Sequence, residues 1–362
     1  MRKSIKRLAS LAAGAVLAVG VLSACATDGG SDDGGSDAAA GEGASIALLL
    51  PESKTTRYEA FDRPLFEAKV AELGDYEIVY SNADQDAAKQ QQQAESALAQ
   101  GVSVMVLDPV DAEAAVSIVN AASAQGVPVV SYDRLIAGGD LAYYISFDNE
   151  KVGELQGTAL VEKLDADGNG SGDILMVNGS PTDGNATLFK AGAHSVIDGS
   201  DLNVVAEFDT PDWSPDQAQE WVAGQLTQFG DDLVAVYAAN DGTAGGAIAA
   251  MRAANIDPLP VVTGQDAEIT AIQRIVAGDQ YMTIYKAIKA EAELAAEIAV
   301  ALANGEEVTG DVDVDGTPST LLEPVVVTVD NIMDTVVADG FYTVEDICTA
   351  EYADACAAAG IE

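Results

Sequence analysis

Strand-like and helix-like patterns alternate almost without a break from residue 45 onward, and this alternation limits the fold more than any other feature of the chain. Short β-prone runs stand at 45–50 (SIALLL), 76–81 (YEIVYS), 102–107 (VSVMVL), 127–132 (VPVVSY) and 141–147 (LAYYISF). Six more follow at 173–178, 202–208, 233–239, 259–264, 280–285 and 321–329. Between nearly every pair lies a helical pattern. Phe61, Leu65, Val70 and Leu73 fall on one face of 58–73, and Ile288, Ala292, Ala295, Ile298 and Leu302 on one face of 286–303; both stripes read as packing surfaces. Parallel strands need crossovers, and helices supply them, so the pattern predicts an α/β fold of wound parallel sheets. From Ser45 to the end there are about 318 residues, enough for two lobes with separate cores.

The segment ahead of Ser45 has a different character. MRKSIKR precedes the apolar run LASLAAGAVLAVGVLSA, which is the layout of a secretory signal over residues 1–24. The run is too short for a good permanent membrane span, which needs roughly 20 apolar residues. LSAC resembles a bacterial lipobox, and that resemblance implies cleavage before Cys25 and lipidation of its thiol. Residues 25–44, rich in Gly, Ser and Asp, have too little apolar surface to order themselves and read as a flexible tether. Of the remaining cysteines, Cys348 and Cys356 lie eight apart in a tail over 348–362. On an exported chain they point to a small-loop disulfide, with two free thiols as the alternative.

The formal charge of −42 excludes nucleic acid as a partner and disfavours anionic ligands, while most of it reads as a soluble, self-repelling surface. In wound α/β sheets ligands bind beyond the carboxyl ends of the strands, and here those positions are polar. The first strand leads to Arg57 and Tyr58, the fourth to Asp133 and Arg134, and the fifth to Asp148 and Asn149. Later tips carry Asp183 and Asn185, Trp213, Asn240 and Asp241, Asp266, and Lys286. Any single Asp or Asn at such a turn reads equally well as a helix cap. Eight polar tips together suit a neutral sugar: carboxylates accept from hydroxyls, amides donate and accept, Arg and Lys donate, and an aromatic face covers ring C–H groups. There is no G-x-S-x-G elbow and no phosphate loop, and the one histidine, His194, sits inside a helical pattern and reads as structural. A carboxylate pair for glycoside hydrolysis is the enzymatic alternative.

The segments YDRLI, YYISFDNEKVGELQ, GSPTDGNATLFKAG, NDGTAGGAI, GQDAEITAIQRIVAGDQYMTIYK and PSTLLEPVVV resemble, in this order, the D-xylose-binding and multiple-sugar-binding receptors of bacterial ABC importers. The similarity covers nearly all of 45–342. It implies a type I periplasmic-binding-protein fold: two doubly wound parallel-sheet lobes joined by a three-segment hinge, closing on one monosaccharide such as xylose or a related aldopentose or aldohexose. The crossings are expected near Asp148–Glu150, Tyr285–Lys286 and Leu321–Glu323. This gives an N-terminal lobe of 45–148 plus 286–321 and a C-terminal lobe of 149–285 plus 322–347.

The same resemblance assigns sugar contacts to Asp133 and Arg134 of YDR, to Asp148 and Asn149 of SFDN, to Asn185, Asn240, Asp266 and Lys286, and to Arg57 and Tyr58 of the first loop. Trp213 is the expected second aromatic wall. Two departures stand out: ESKTTRY replaces the usual first-loop sequence, and the tail from CTAEYADAC runs past the family's common end. The resemblance implies no enzymatic activity and no required cofactor. It also implies a membrane permease as partner; with the lipobox-like LSAC, the expectation is a monomer anchored to the outside of the cell membrane. A sugar co-receptor for chemosensing is the alternative.

DADGNGSGD places Asp165, Asp167, Asn169, Gly170 and Asp173 at calcium-loop positions, but Met176 stands where the bidentate Glu belongs. A related galactose-receptor family carries calcium in the corresponding loop, which leaves a structural calcium, completed by Asp231 or Asp232, and a plain acidic turn both open.

Overall fold

The computed structural model describes residues 43–230 and 232–361. The signal-like segment, Cys25, the tether as far as residue 42, and Asp231 lie outside the described residues. In chain order the strands are β1 (Ser45–Leu50), β2 (Glu77–Asn82), β3 (Val104–Leu107), β4 (Val129–Tyr132), β5 (Tyr143–Phe147), β6 (Asp173–Asn178), β7 (Asn203–Asp209), β8 (Leu233–Ala238), β9 (Val261–Val262), β10 (Met282–Tyr285), β11 (Val312–Val314), β12 (Thr317–Leu322) and β13 (Val325–Thr328). The helices are α1 (Arg63–Leu73), α2 (Ala87–Gln100), α3 (Val116–Ser123), α4 (Asn149–Ala166), α5 (Gly184–Ile197), α6 (Pro215–Phe229), α7 (Asp241–Ala253), α8 (Ile269–Ala277), α9 (Ile288–Ala303), α10 (Val344–Ile347) and α11 (Ala353–Ala359).

The first sheet has the order β11-β12-β5-β4-β3-β1-β2, parallel throughout except for β11. Every residue of β3, β4 and β5 is buried, because helices cover both faces, and this is why those strands read as unbroken apolar runs. On one face Phe66 and Val70 pack with Ala292, Ala295 and Ala299; on the other lie Ala94, Leu98, Ile118 and Val119. The second sheet, β7-β6-β8-β9, is also parallel, and its faces are covered by α4 and α5 on one side and α6 and α7 on the other. Its edge continues into β10, where the amides of Ile284 and of Tyr281, just ahead of the strand, donate to the carbonyls of Gly264 and Val262, and β10 pairs antiparallel with β13.

The chain passes between the sheets three times: from β5 into α4, from β10 into α9, and from β12 into β13. The last crossing corrects one expectation. Residues 321–329 are not one strand, because Pro324 has no N–H to give a ladder, so β12 ends in the first sheet and β13 begins in the second. The β11 strand has no counterpart in the sequence reading.

The stripe assigned to 58–73 is corrected as well. Residues Tyr58–Asp62 form a π-helical turn, whose wider winding shifts the phase of the helix that follows. Phe66 and Val70 are therefore the buried pair, while Leu73 is 40% exposed. At the far end, Cys348 and Cys356 form a disulfide, and the tail packs Ile347, Cys356 and Ile361 against Ile272 and Ile275 of α8.

Candidate binding cleft

Residues that follow strands of both sheets meet in one enclosed cleft. Thr55, Arg57, Tyr58, Asp133 and Arg134 line it from the first sheet; Asp183, Asn185, Phe189, Trp213, Asn240, Gln265 and Asp266 line it from the second; Lys286 enters at a crossing.

On the first side Arg57 is the organiser. It is 2% exposed, and its guanidinium holds Asp62 and Glu291 at 2.6 Å each and Asp133 at 3.1 Å. The Tyr58 hydroxyl donates to Asp133 Oδ2 at 3.1 Å and accepts from Arg134 Nη2 at 3.1 Å. Burial pushes the Asp133 carboxyl up, but Arg57, then Lys286 and Arg134, outweigh it and hold the group at about 2. Burial drives Glu291 well above the usual carboxylate range, with Asp133 and Asp62 adding to the rise against the pull of Arg57.

On the second side Asp266 meets Lys286 Nζ at 3.2 Å and accepts from Gln265 Nε2 at 3.3 Å. Lys286 also stands 3.8 Å from Asp133, so its ammonium links the two halves. Burial would lower the Lys286 pKa, but Asp266 and Asp133 raise it, so the side chain stays charged. Asn240 caps α7, its oxygen accepting from the Thr243 amide at 2.9 Å. The Trp213 indole donates to Asp183 Oδ2 at 3.0 Å, and its ring stands edge-on to Phe189 at 6.3 Å. Its seat requires glycine at Gly179, where a Cβ would come within 2.1 Å of the indole.

The two halves are closed on each other. Asn185 Nδ2 donates to the Asp133 carbonyl at 2.9 Å, Arg134 Nε lies 3.0 Å from Asp183 Oδ2, and the Ala112 amide donates to the Thr182 carbonyl at 3.1 Å. The Thr56 amide donates to Glu268 Oε1 at 3.2 Å; burial raises that carboxyl to about 7, with Asp266 adding to the rise.

The cleft brings together Arg57, Tyr58, Asp133, Arg134, Asn185, Trp213, Asn240, Asp266 and Lys286. It does not include Asp148 or Asn149. Asp148 caps α4 by accepting from the Lys151 amide at 3.0 Å, and Asn149 donates to Ser146 Oγ at 3.0 Å. Both line a separate, more apolar groove of about 740 Å³ with Leu135, Leu188 and Leu321. The convergent charges lie in the smaller cleft, which is why the chemistry is placed there. A capping carboxylate and a ligand carboxylate have the same signature after a strand, and at Asp148 the cap prevails.

Sequence reasoning missed Gln265, Phe189 and Thr55 as lining residues, named Asp183 as a strand tip without assigning it to the sugar site, and missed Asp62 and Glu291 behind Arg57. Glu291 is a fully buried acid in the alanine-rich face of α9.

The calcium-like loop spends its oxygens locally. Asp167 pairs with Lys163 at 2.7 Å, and Asp173 accepts from Asn203 at 2.8 Å. Asp165 and Asn169 lie in the same turn, where Asn169 N donates to the Leu164 carbonyl at 2.8 Å. Among the described residues no group of three or more His, Cys, Asp or Glu is placed to hold a metal ion.

Each cleft cation is already matched by carboxylates, so the cleft has no spare positive charge for an anionic ligand. What remains is a ring of fixed donors and acceptors with aromatic walls, which is what a neutral polyhydroxylated molecule needs.

Residues 46–307 match the family described as the periplasmic binding protein domain. The D-xylose-binding periplasmic protein of Escherichia coli (strain K12) is 38% identical over 305 residues, covering 82% of this chain and 90% of that protein. The multiple sugar-binding periplasmic receptor of Rhizobium radiobacter is 31% identical, over 84% of this chain and 92% of its own length. The crystal structure of an ABC transporter solute-binding protein from Clostridium phytofermentans with bound β-D-glucose matches with a TM-score of 0.77 at 29% identity, covering 84% of this chain and 99% of that one.

Proposed function

Because this chain belongs to the periplasmic binding protein family, we propose that it is the extracytoplasmic receptor of an ABC sugar importer that closes its two lobes on D-xylose or a closely related monosaccharide. It is a sugar-binding protein and not an enzyme. The observation that carries the reading is the cleft itself: charged, amide and aromatic side chains from both sheets converge there, and every cation is neutralised. The contacts are assigned to Asp133, Asn185, Asn240, Asp266 and Lys286, with Trp213 and Phe189 against the C–H face of the sugar. The closed lobes are the form presented to the membrane permease, because only closure assembles one surface from both halves. Calorimetric titration with xylose, arabinose, glucose and galactose tests the reading. Binding of at least one of them, with xylose the tightest, is expected, and heat from none of the four would remove it.

The export signal and LSAC support a lipid anchor at Cys25 on the outer side of the cell membrane. Mass spectrometry of the membrane fraction is expected to find a lipidated Cys25 at the mature N-terminus, and Cys25→Ala is expected to release the protein. An unmodified mature chain that begins elsewhere contradicts the anchor.

A further inference from the structure

Asp108 is the buried acid that the binding reading leaves without a task. It follows β3 and is fully buried, with its backbone fixed: its amide donates to the Leu49 carbonyl at 3.0 Å, and its carbonyl accepts from Gln90 Nε2 at 2.7 Å. Yet neither side-chain oxygen accepts a hydrogen bond from any described residue. The nearest cation is Arg134, with Nε 3.5 Å from Asp108 Oδ1.

Asp183 is its opposite. It comes from the other lobe and accepts from the Asn185 amide at 2.9 Å and the Trp213 indole at 3.0 Å, and its Oδ2 forms the shorter ion-pair contact with Arg134 Nε, 3.0 Å and without a hydrogen bond. Arg134 thus faces two carboxylates, and the hydrogen-bonded one, Asp183, is within reach only while the lobes are together. Ionised carboxylates that are buried without donors are costly, so a bare Asp108 in the closed form calls for a neutral carboxyl.

We infer that Asp108 is the ion-pair partner of Arg134 while the lobes are apart, and that closure hands the guanidinium to Asp183 while Asp108 takes one proton from solvent. The inference rests on the sugar-receptor reading, since closure is what the sugar drives. Charge balances in the exchange: one Arg–carboxylate pair is replaced by another, and the abandoned carboxylate is neutralised by the incoming proton.

The groups facing Asp108 are Arg134 and Asp133 after β4, Asp183 at the start of α5, and Arg57 and Tyr58 around the π-helical turn. Burial raises its carboxyl well above the usual range; Arg134 and Arg57 pull it down, while Asp133 and Asp183 push it further up. The sign follows from this. A group whose pKa is higher in the closed form favours closure fully below its open-form value, and that contribution is lost as pH rises towards the closed-form value. Asp108 is therefore a positioning residue that makes sugar affinity fall with rising pH.

The test is calorimetric titration with the sugar that binds, in buffers of different ionisation enthalpy, for the wild-type chain and Asp108→Asn. Glu268→Gln serves as a control for the other carboxyl shielded on closure. The wild type is expected to take up about one proton more per sugar than Asp108→Asn. The variant, which has no ion pair to give up, is expected to bind about tenfold more tightly near neutral pH, with the two affinities converging under acid conditions. Equal proton uptake in both proteins, or an unchanged affinity ratio across pH, overturns the inference and leaves the receptor reading intact. Absence of sugar binding by the wild type removes both. Should Asp108→Asn fail to fold, a wild-type affinity that is independent of pH, together with a binding enthalpy that is independent of the buffer, overturns the inference by itself.

Discussion

Asp133 and Asp266 occupy equivalent places in the two lobes. Each stands at the carboxyl end of its sheet in the left-handed backbone region, with φ of 55° and 91°, a conformation that Asp tolerates better than most residues. Each amide donates at 2.9 Å to an isoleucine carbonyl of the neighbouring strand, Ile145 in β5 and Ile284 in β10. The backbone device is the same, but the surroundings differ. Asp133 is gripped by Arg57 and Tyr58, with Lys286 at longer range, whereas Asp266 has Lys286 and Gln265. The first lobe is therefore built as an anchor whose charges hold one another in place, and the second brings a lighter set of groups that commit to the ligand on closure. Strained backbone at two ligand-facing carboxylates fits a site whose geometry is held by its surroundings.

The most damaging way to probe that difference is Asp133→Ala. Arg57 and Lys286 would lose a buried counter-charge, so about 3–5 kcal/mol of stability is expected to go together with all measurable sugar binding. Urea unfolding and calorimetry read the two losses separately. Asp266→Ala is expected to cost binding far more than stability. Lys286 keeps Asp133 within 3.8 Å, but sugar hydroxyls lose an acceptor at about 1–3 kcal/mol each, which weakens affinity by on the order of a hundredfold or more. Equal destabilisation by the two substitutions would erase the distinction between anchor and clasp.

Trp213→Ala sharpens the second half of the comparison. Loss of an aromatic face is expected to cost about 1–3 kcal/mol, roughly tenfold to hundredfold in affinity, and to abolish the sugar-induced fluorescence change. Trp221→Phe is expected to retain both, because Trp221 stacks on Phe208 at 5.3 Å as packing for α6. Retention of affinity and signal by Trp213→Ala would take the indole out of the site.

The smallest effect belongs to His194, outside the cleft. Burial lowers its pKa, but Asp198 at 2.9 Å and Glu207 at 3.2 Å raise it on balance. Its stabilisation is fully present below the unfolded value of about 6.5 and is lost as pH rises through the folded value. His194→Gln is thus expected to cost under about 1 kcal/mol in mild acid and nothing in alkali, as thermal unfolding across pH would show. A cost that is independent of pH would assign the residue to packing instead.

The wound sheets were legible because buried parallel strands leave continuous apolar runs, and β1 and β6 fall on their expected residues. Strand tips were legible for the same reason, since the polar break after each run marks where a ligand can be met. What was hidden depends on contacts between distant segments. Asp62 and Glu291 look like ordinary helix acids until Arg57 is placed between them, and Asp148 looks like Asp133 until its helix claims it. Pro324 was visible, and reading it as a strand breaker would have separated β12 from β13.

The central claim is that a neutral sugar draws the anchor and the clasp together. Small-angle scattering of the mature chain, with and without saturating sugar, tests it most directly. The account predicts a smaller radius of gyration when sugar is bound, with Asp266→Ala failing to contract at a sugar concentration that saturates the wild type. An unchanged scattering profile for the wild type at full occupancy would show that the sugar binds without closing the lobes, and would contradict the account.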